Sequence, residues 1–384
     1  MTSNQKVRAI CFYLPQFHPV PENNEWWGKG FTEWTNVVKA TPQFPGHYQP
    51  HLPADLGFCD LRVPETREAQ AVLAQEHGIF GFCYYHYWFN GRRILERPIN
   101  EVLATGRPDF PFCLCWANEN WSRRWDGLDH EILLRQVYSP EDDLAHLSAL
   151  APYFRDRRYI RVGGKPLFLV YRASNLPDAA GTVTRWRAKA AELGFPGIYL
   201  CNVESLPRDK NLTLAAGFDA AVEYAPDWEY LPPPIRPFFQ LPMRVQKRIN
   251  RMTVWSRNNV VEYVELRDRM LAKPHAPYLR FPGVTPSWDN SARRYQNAFI
   301  ARNSTPSGYE IWLKAAIARF RPPGPEENFI FINAWNEWAE GNHLEPCSRW
   351  GRAYLDATKR SLAENSGSAS PTSLLGIQPK RLGR

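Results

Sequence analysis

The sequence predicts an α/β fold, a closed (β/α)8 or TIM barrel of eight parallel strands each followed by a helix. Three observations predict it. Eight short apolar runs, of the kind a buried parallel strand needs, recur along the 384 residues and alternate with helical stretches. Where most of these runs stop, the chain turns to tryptophan, carboxylate and amide, on the side where such barrels carry their active sites. No run is followed by a glycine-rich phosphate loop, the signature of the alternative, an open doubly wound sheet.

The first run, residues 7–13, exits through Leu14-Pro15-Gln16-Phe17-His18, which makes Tyr13 and His18 candidate substrate contacts. A long loop after this strand carries Trp26, Trp27, Gly28, Phe31, Glu33, Trp34 and Tyr48. Loops of that length inside a compact domain are usually functional, so Glu33 and Trp34 join the candidates. Pro64, with Glu65 and Glu68 behind it, opens a helix to about His77. The second strand, residues 78–89, has an aromatic exit with Tyr85, His86 and Trp88, and a basic helix is expected near residues 93–104. Residues 111–121 repeat the plan with Trp116, Asn118, Glu119 and Trp121. Ser139-Pro140-Glu141-Asp142 begins a helix with a capping serine and a proline in its first turn. Residues 166–171 form the fourth strand and residues 182–193 a helix stopped by Gly194. Residues 198–203 and 220–224 are the fifth and sixth strands, the latter exiting at Asp227. Residues 278–284 are the seventh, leading to Trp288 and Asp289; a helix over 308–320 returns the chain to the eighth, and a last helix spans about 354–364.

That eighth strand is Phe329-Ile330-Phe331-Ile332, followed by Asn333, Trp335, Asn336, Glu337, Trp338, Glu340, His343 and Glu345. An isolated buried carboxylate costs several kcal/mol unless it is paired, so three of them bunched past a core strand point to a site. Glu337 and Glu340, three apart on an irregular segment, can aim into one mouth. Chemistry at a glycosidic bond asks for such a pair, one carboxyl protonated and one ionised, and mutual repulsion separates their pKa values. The 15 Trp, 17 Tyr and 21 Phe suit sugar recognition by ring stacking, with many of the rings needed for the core.

Composition narrows the rest. Seven cysteines, an odd number mostly inside apolar runs, read as buried core residues of a reducing compartment. His18, His47, His51, His86 and His343 are scattered without metal-ligand spacing, so neither a metal nor another cofactor is expected. The N-terminus lacks a secretory apolar region and no run approaches a membrane span, which makes the expected location cytoplasmic. The net charge of +8 is concentrated in an insertion between strands six and seven: residues 236–280 hold ten Lys and Arg against three Asp and Glu. Residues 236–257 are therefore expected to touch an anionic membrane at the inner-membrane surface or a diphosphate-linked substrate, with a solvated helical lid as the alternative. No nucleic-acid partner is expected. The barrel domain is drawn over residues 1–365, and residues 366–384 form a tail of low complexity, expected to be disordered.

Residues 336–346, Asn-Glu-Trp-Ala-Glu-Gly-Asn-His-Leu-Glu-Pro, resemble the terminal motif of glycoside hydrolase family 99, the endo-α-mannosidases, and of the related bacterial WbsX-type proteins. Residues 13–18, 31–37, 84–89 and 116–125 resemble the WbsX group more closely, and together the likeness covers the chain to about residue 360. The resemblance implies a (β/α)8 barrel, no metal, and a role in making or trimming cell-surface polysaccharide such as the O-antigen of lipopolysaccharide. Carried over by position, Glu337 matches the family's base and Glu340 its acid. In the endo-mannosidases the base is thought to deprotonate the sugar's own 2-hydroxyl, giving a 1,2-anhydro intermediate with retention. Ala339 stands where that family usually has histidine, a departure that is WbsX-like and bears on mannose specificity and on the epoxide route. The expectation is a glycoside hydrolase or transglycosidase acting on an oligosaccharide or lipid-linked glycan. A glycosyltransferase of polysaccharide assembly and a non-catalytic glycan-binding barrel are the alternatives.

Overall fold

The computed structural model describes residues 7–123, 128–235, 245, 257–294 and 296–364. Its apolar runs pair side by side as β1 (Arg8–Tyr13), β2 (Ile79–Phe89), β3 (Phe112–Trp116), β4 (Lys165–Val170), β5 (Tyr199–Glu204) and β6 (Ala220–Glu223). The barrel is completed by β7 (Arg280–Phe281 and Gly283–Val284) and by β8 (Phe329–Ile332), which lies against β1. Every barrel pairing is parallel.

Strand β7 differs from its expected form because Pro282 interrupts it. Arg280–Phe281 pairs with β6, whereas Gly283–Val284 pairs with β8, so the two halves close the barrel between them. Pro282 has no N–H to give, but its carbonyl accepts from Phe331 N at 2.8 Å. At Gly283 a Cβ would stand 1.8 Å from the Glu223 carbonyl oxygen, so only glycine allows this approach.

The helices cover the outside: α1 (Pro21–Trp27), α2 (Glu33–Lys39), α3 (Pro64–Glu76), α4 (Arg97–Thr105), α5 (Pro140–Arg155), α6 (Ala179–Glu192), α7 (Leu212–Ala215), α8 (Tyr263–Leu271), α9 (Pro306–Arg319) and α10 (Ala353–Glu364). Side-chain caps start three of them: Ser139 Oγ accepts from Asp142 N, Asp178 Oδ1 from Gly181 N, and Thr305 Oγ1 from Gly308 N. Each cap is worth about 1 kcal/mol.

Two other expectations change. The long segment after β1 is not a bare loop, since it folds α1 and α2 over the barrel mouth. The basic helix starts later than expected, at Arg97, because Arg92–Ile94 turns back to pair antiparallel with the end of β2. Residues 236–244 and 246–256 of the basic insertion, and the tail from residue 365, lie outside the described residues. Beyond the insertion, Asn259–Glu262, Phe299–Arg302 and Trp288–Asp289 form a small sheet beside the mouth.

Inside the barrel, Phe12 of β1 meets Tyr85 of β2, Phe331 of β8 and Tyr224, just past β6, at ring separations of 5.6, 5.7 and 5.6 Å. Because β6 is not a neighbour of β1, β2 or β8, these rings cross the barrel axis and form the floor of the mouth. Phe12 is fully buried. Truncating it to alanine would cost about 3–5 kcal/mol by leaving a cavity there.

Candidate active site

Beyond β8 the chain must turn without losing backbone partners, and side chains supply them. Asn336 accepts from Leu14 N at 2.7 Å and donates to Leu14 O at 3.0 Å, fastening the β8 exit to the β1 exit. Asn118 does the same between β3 and β4, accepting from Arg172 N at 2.7 Å and donating to Arg172 O at 2.8 Å. Asn333 donates to Ala225 O at 2.9 Å. Asn336 and Asn118 are structural clamps whose amides are engaged by backbone on both sides, whereas Asn333 is tied through its nitrogen alone and its buried Oδ1 has no partner among the described residues.

The turn held in this way presents Glu337 and Glu340, and both bind Arg293. Arg293 Nη2 donates to Glu337 Oε2 at 2.9 Å, Nη1 to Glu340 Oε1 at 2.6 Å, and Nε to Glu33 Oε1 at 2.7 Å. Glu33 comes from the first turn of α2, which packs on the turn at 338–340. One guanidinium thus faces three carboxylates. Burial pushes the Glu337 carboxyl up to about 8, with Glu340 and Glu33 adding to the rise and Arg293 opposing it. Burial also raises Glu33, which Arg293 pulls back down. Burial disfavours the charge of Arg293, but the three carboxylates outweigh it and hold it well above its ordinary range.

Glu337, Glu340 and Arg293 open on a cleft of about 510 Å³, within the range of small-ligand sites. On the β2–β3 side its wall is aromatic: Trp121 lies nearly flat on Tyr87 at 5.3 Å and meets Trp26 edge-on at 5.5 Å. On the β6–β7 side Trp228 stands edge-on to Trp288 and Phe299, at 5.9 and 5.5 Å. Tyr85 and Tyr224 share a hydroxyl contact of 3.2 Å at the floor. Polar carboxyls between ring faces can bind hydroxyls while the rings cover C–H surface.

Of the predicted residues, Tyr85, Glu119, Trp121, Trp288, Glu337 and Glu340 line this cleft, and Glu33 reaches it through Arg293. A second group sits behind the turn. Tyr13 Oη donates to Gln70, Gln70 Nε2 to Glu345 Oε1 at 2.6 Å, and Trp338 Nε1 to Glu345 Oε2 at 2.6 Å. Trp338 is sandwiched by His343 at 3.8 Å and Trp34 at 5.3 Å. His343 Nδ1 donates to the Glu345 carbonyl, so its Nε2 accepts from His51 Nδ1 at 3.0 Å. Burial raises Glu345 to about 7 and lowers His51 to about 4, so the imidazole stays neutral while the carboxyl titrates near neutral pH. Trp335 is buried against Phe82.

A third group does not line the cleft. His86 and His146 meet at 3.0 Å, with Trp88 stacked on His146 and its Nε1 bonded to Asp142. Trp116 is 1% exposed and packs on His146 and Trp186, so it is a core ring and not the stacking platform its position suggested. Burial lowers His18 to about 4. Asp289 pairs with His47 at 2.6 Å beside a separate small cavity, and Asp227 is closed off by Lys273 and Lys210. Among the described residues no three His, Cys, Asp or Glu side chains are grouped to hold a metal.

Sequence reasoning missed Arg293, Tyr87, Arg172, Tyr224 and Trp228. Arg293 lies only four residues past Asp289 in the polar exit of β7, and that proximity was its one signal. Tyr87 belonged to an exit already marked as aromatic.

The sequence model of the family described as Glycosyltransferase WbsX matches residues 9–358. Two proteins from strains of Xanthomonas campestris pv. campestris, each named "Uncharacterized protein WxcX", are 45% identical over 354 residues, covering 92% of this chain and 49% of theirs. The chain therefore spans about half the length of the curated relatives it matches. Among solved structures, a glycoside hydrolase-like protein aligns with a TM-score of 0.58 at 13% identity, over 94% of this chain and 95% of its own. The GH99 endo-alpha-mannosidase from Bacteroides thetaiotaomicron aligns with a TM-score of 0.55 at 15% identity, over 95% and 98%. At such identities the likeness is one of fold. The chain belongs to the WbsX family, and its barrel is that of the GH99 enzymes.

Proposed function

We propose that this chain is a glycan-processing enzyme that acts on glycosidic bonds of cell-surface polysaccharide, such as O-antigen, with Glu337 and Glu340 as its working pair. One observation carries the reading: two carboxyls bridged by Arg293 face an aromatic-walled cleft at the C-terminal end of the barrel. With its carboxyl raised to about 8, Glu337 is a stronger base when ionised than an ordinary carboxylate, as removal of a sugar hydroxyl proton requires. Arg293 keeps that ionised form within reach. Glu337 takes the proton of a sugar hydroxyl, whose oxygen bonds to the anomeric carbon as the glycosidic C–O bond breaks and Glu340 protonates the departing oxygen. Water, or the hydroxyl of an acceptor sugar, then attacks the anomeric carbon and gives its proton to Glu340, while the displaced sugar oxygen regains its proton from Glu337. Base and acid are the roles that the family resemblance carries to these positions.

Replacing either residue by glutamine keeps its shape and removes its titration. Turnover of a lipid-linked or surface glycan, followed by mass of the products, should fall about 10²-fold or more while binding persists. Near-normal turnover in both variants would overturn the assignment. The family's description favours a second reading, transfer from a nucleotide-sugar donor. Release of free sugar without such a donor supports the first; product formed only with the donor supports the second.

The proposal extends to a lipid-linked glycan at the inner-membrane surface, supported by the excess of seven positive charges over residues 236–280. No helix among the described residues is long and apolar enough to cross a membrane. Each Lys or Arg at an anionic surface contributes about 1 kcal/mol. Changing Lys247, Arg248 and Arg251 to Gln should therefore reduce co-sedimentation with anionic vesicles, and equal sedimentation with anionic and neutral lipid would remove this part.

A further inference from the structure

We infer that the cleft carries an anion-binding subsite at Arg172 and Arg208, so that the glycan it takes is acidic, bearing a carboxylate or a phosphate. This rests on reading the cleft as a glycan site.

Arg172 stands two residues past β4, and its backbone is fixed on both sides by Asn118. The side chain is only 6% exposed, yet it lines the cleft. A guanidinium has five N–H groups, and a buried one needs partners for them. Here Nη1 has one close partner, Ser205 Oγ at 2.7 Å. Its two carboxylates are held loosely: Asp209 Oδ2 at 3.5 Å from Nη1 and Glu119 Oε1 at 3.4 Å from Nε, beyond the usual 2.7–3.2 Å for such bonds. Nη2 has no partner among the described residues. The guanidinium carbon lies 4.1 Å from the Tyr171 ring centre, which fixes the plane of the fork.

Arg208 supplies a second cation. It lies on the turn Pro207–Asp209, lines the same cleft, and is exposed. The turn is tied to the segment that carries Arg172 through Asp209, whose Oδ1 accepts from Ser174 Oγ at 2.6 Å, so the two cations share one support. Neither ion pair nor hydrogen bond engages Arg208 among the described residues. Arg293, by contrast, is already committed to three carboxylates. The cleft is therefore polarised, with carboxyls at the β8 end and open guanidinium capacity at the β4–β5 end. Planar bidentate recognition of a carboxylate or phosphate suits the Arg172 fork.

The test uses the fluorescence of the cleft tryptophans as full-length protein is titrated with matched pairs of ligands. One pair is a uronate-bearing oligosaccharide and its carboxyl-reduced counterpart; the other is a hexosyl diphosphate and the methyl glycoside of the same hexose. The acidic member of at least one pair should bind about 10-fold tighter, as charge-assisted bonds require, and the pair that shows it identifies the oxyanion. The ratio should fall as salt is raised, and should collapse toward one in Arg208→Gln and shrink in Arg172→Lys, which keeps charge and loses the fork. Equal binding within both pairs overturns the subsite, and so does a preference that survives both variants. A response to neutral and acidic members alike leaves the glycan reading standing, whereas no response to any ligand overturns that reading together with the subsite.

Discussion

Arg293 and Asp227 are built as charge opposites. At Arg293 one guanidinium binds three carboxylates; at Asp227 one carboxylate is held by two ammonium groups, Lys273 at 2.6 Å and Lys210 at 3.0 Å. Asp227 is buried and Arg293 largely so, and both follow barrel strands. Burial pushes Asp227 up, but the lysines outweigh it and hold its carboxyl below the ordinary carboxylate range. Around Arg293 burial, with the excess of anions adding to it, raises one carboxyl, that of Glu337, to about 8 and makes it titratable near neutral pH. At Asp227 two ammonium groups converge on one carboxylate and keep it charged, although each lysine also binds a second carboxylate, Glu223 or Glu229; at Arg293 three carboxylates share one guanidinium, which leaves a proton free to move. On the proposed reading, that difference separates a structural ion cluster from a reactive one.

The sharpest way to break the comparison is Arg293→Met. It leaves three acidic side chains in one buried place without their counter-charge, so turnover should fall about 10²-fold or more. Stability should also drop by about 3–5 kcal/mol, the cost of breaking a buried pair. The loss should be greatest above pH 8, where Glu337 has to ionise, and smaller in acid; thermal unfolding at both pH values measures it. Asp227→Asn comes next. It removes a charge that Lys273 needs, although Glu223 still binds that lysine at 2.5 Å. The expected cost is about 1–3 kcal/mol, read from urea unfolding, with turnover of the folded enzyme unchanged. A large loss of turnover at full stability would move Asp227 into the reactive class.

The smallest effect is a displacement of the pH profile. If Glu337 must be ionised to act as base, kcat/KM rises with pH and levels off above about 8. Glu33 raises the Glu337 pKa through its charge, so Glu33→Gln should move this limb to lower pH, by less than about one unit. A limb that stays put would mean that Glu33 shapes the turn and not its titration.

The barrel was legible because every strand but β7 is an uninterrupted, mainly apolar run and several helices carry their own start signals. Ser139 and Pro140 are such a case, and the helix begins there. Strand β7 was legible only in outline, since nothing local says that Pro282 divides it between two neighbours. The candidate site was legible at Glu337 and Glu340, where three carboxylates crowd one short segment. It was not legible at Trp116 or Trp88, because both close strands that are buried on both faces, where no apolar–polar alternation tells inward from outward. Arg293 was hidden for another reason: one cation among 47 Lys and Arg carries no mark of burial. Only the fold brings it against Glu33, 260 positions away in the chain.

The two asparagine clamps have a consequence in time. Asn336 on Leu14 and Asn118 on Arg172 each copy the paired donor and acceptor of a strand neighbour, so the sheet in effect continues one rung past its last strand residues. Backbone amides just outside a sheet ordinarily exchange their protons with solvent through small local openings. Those of Leu14 and Arg172 can do so only when two bonds to one side chain let go together. Their protons should persist in deuterated water nearly as long as those of the strands themselves, marking the mouth of the barrel as part of its slowest-opening unit.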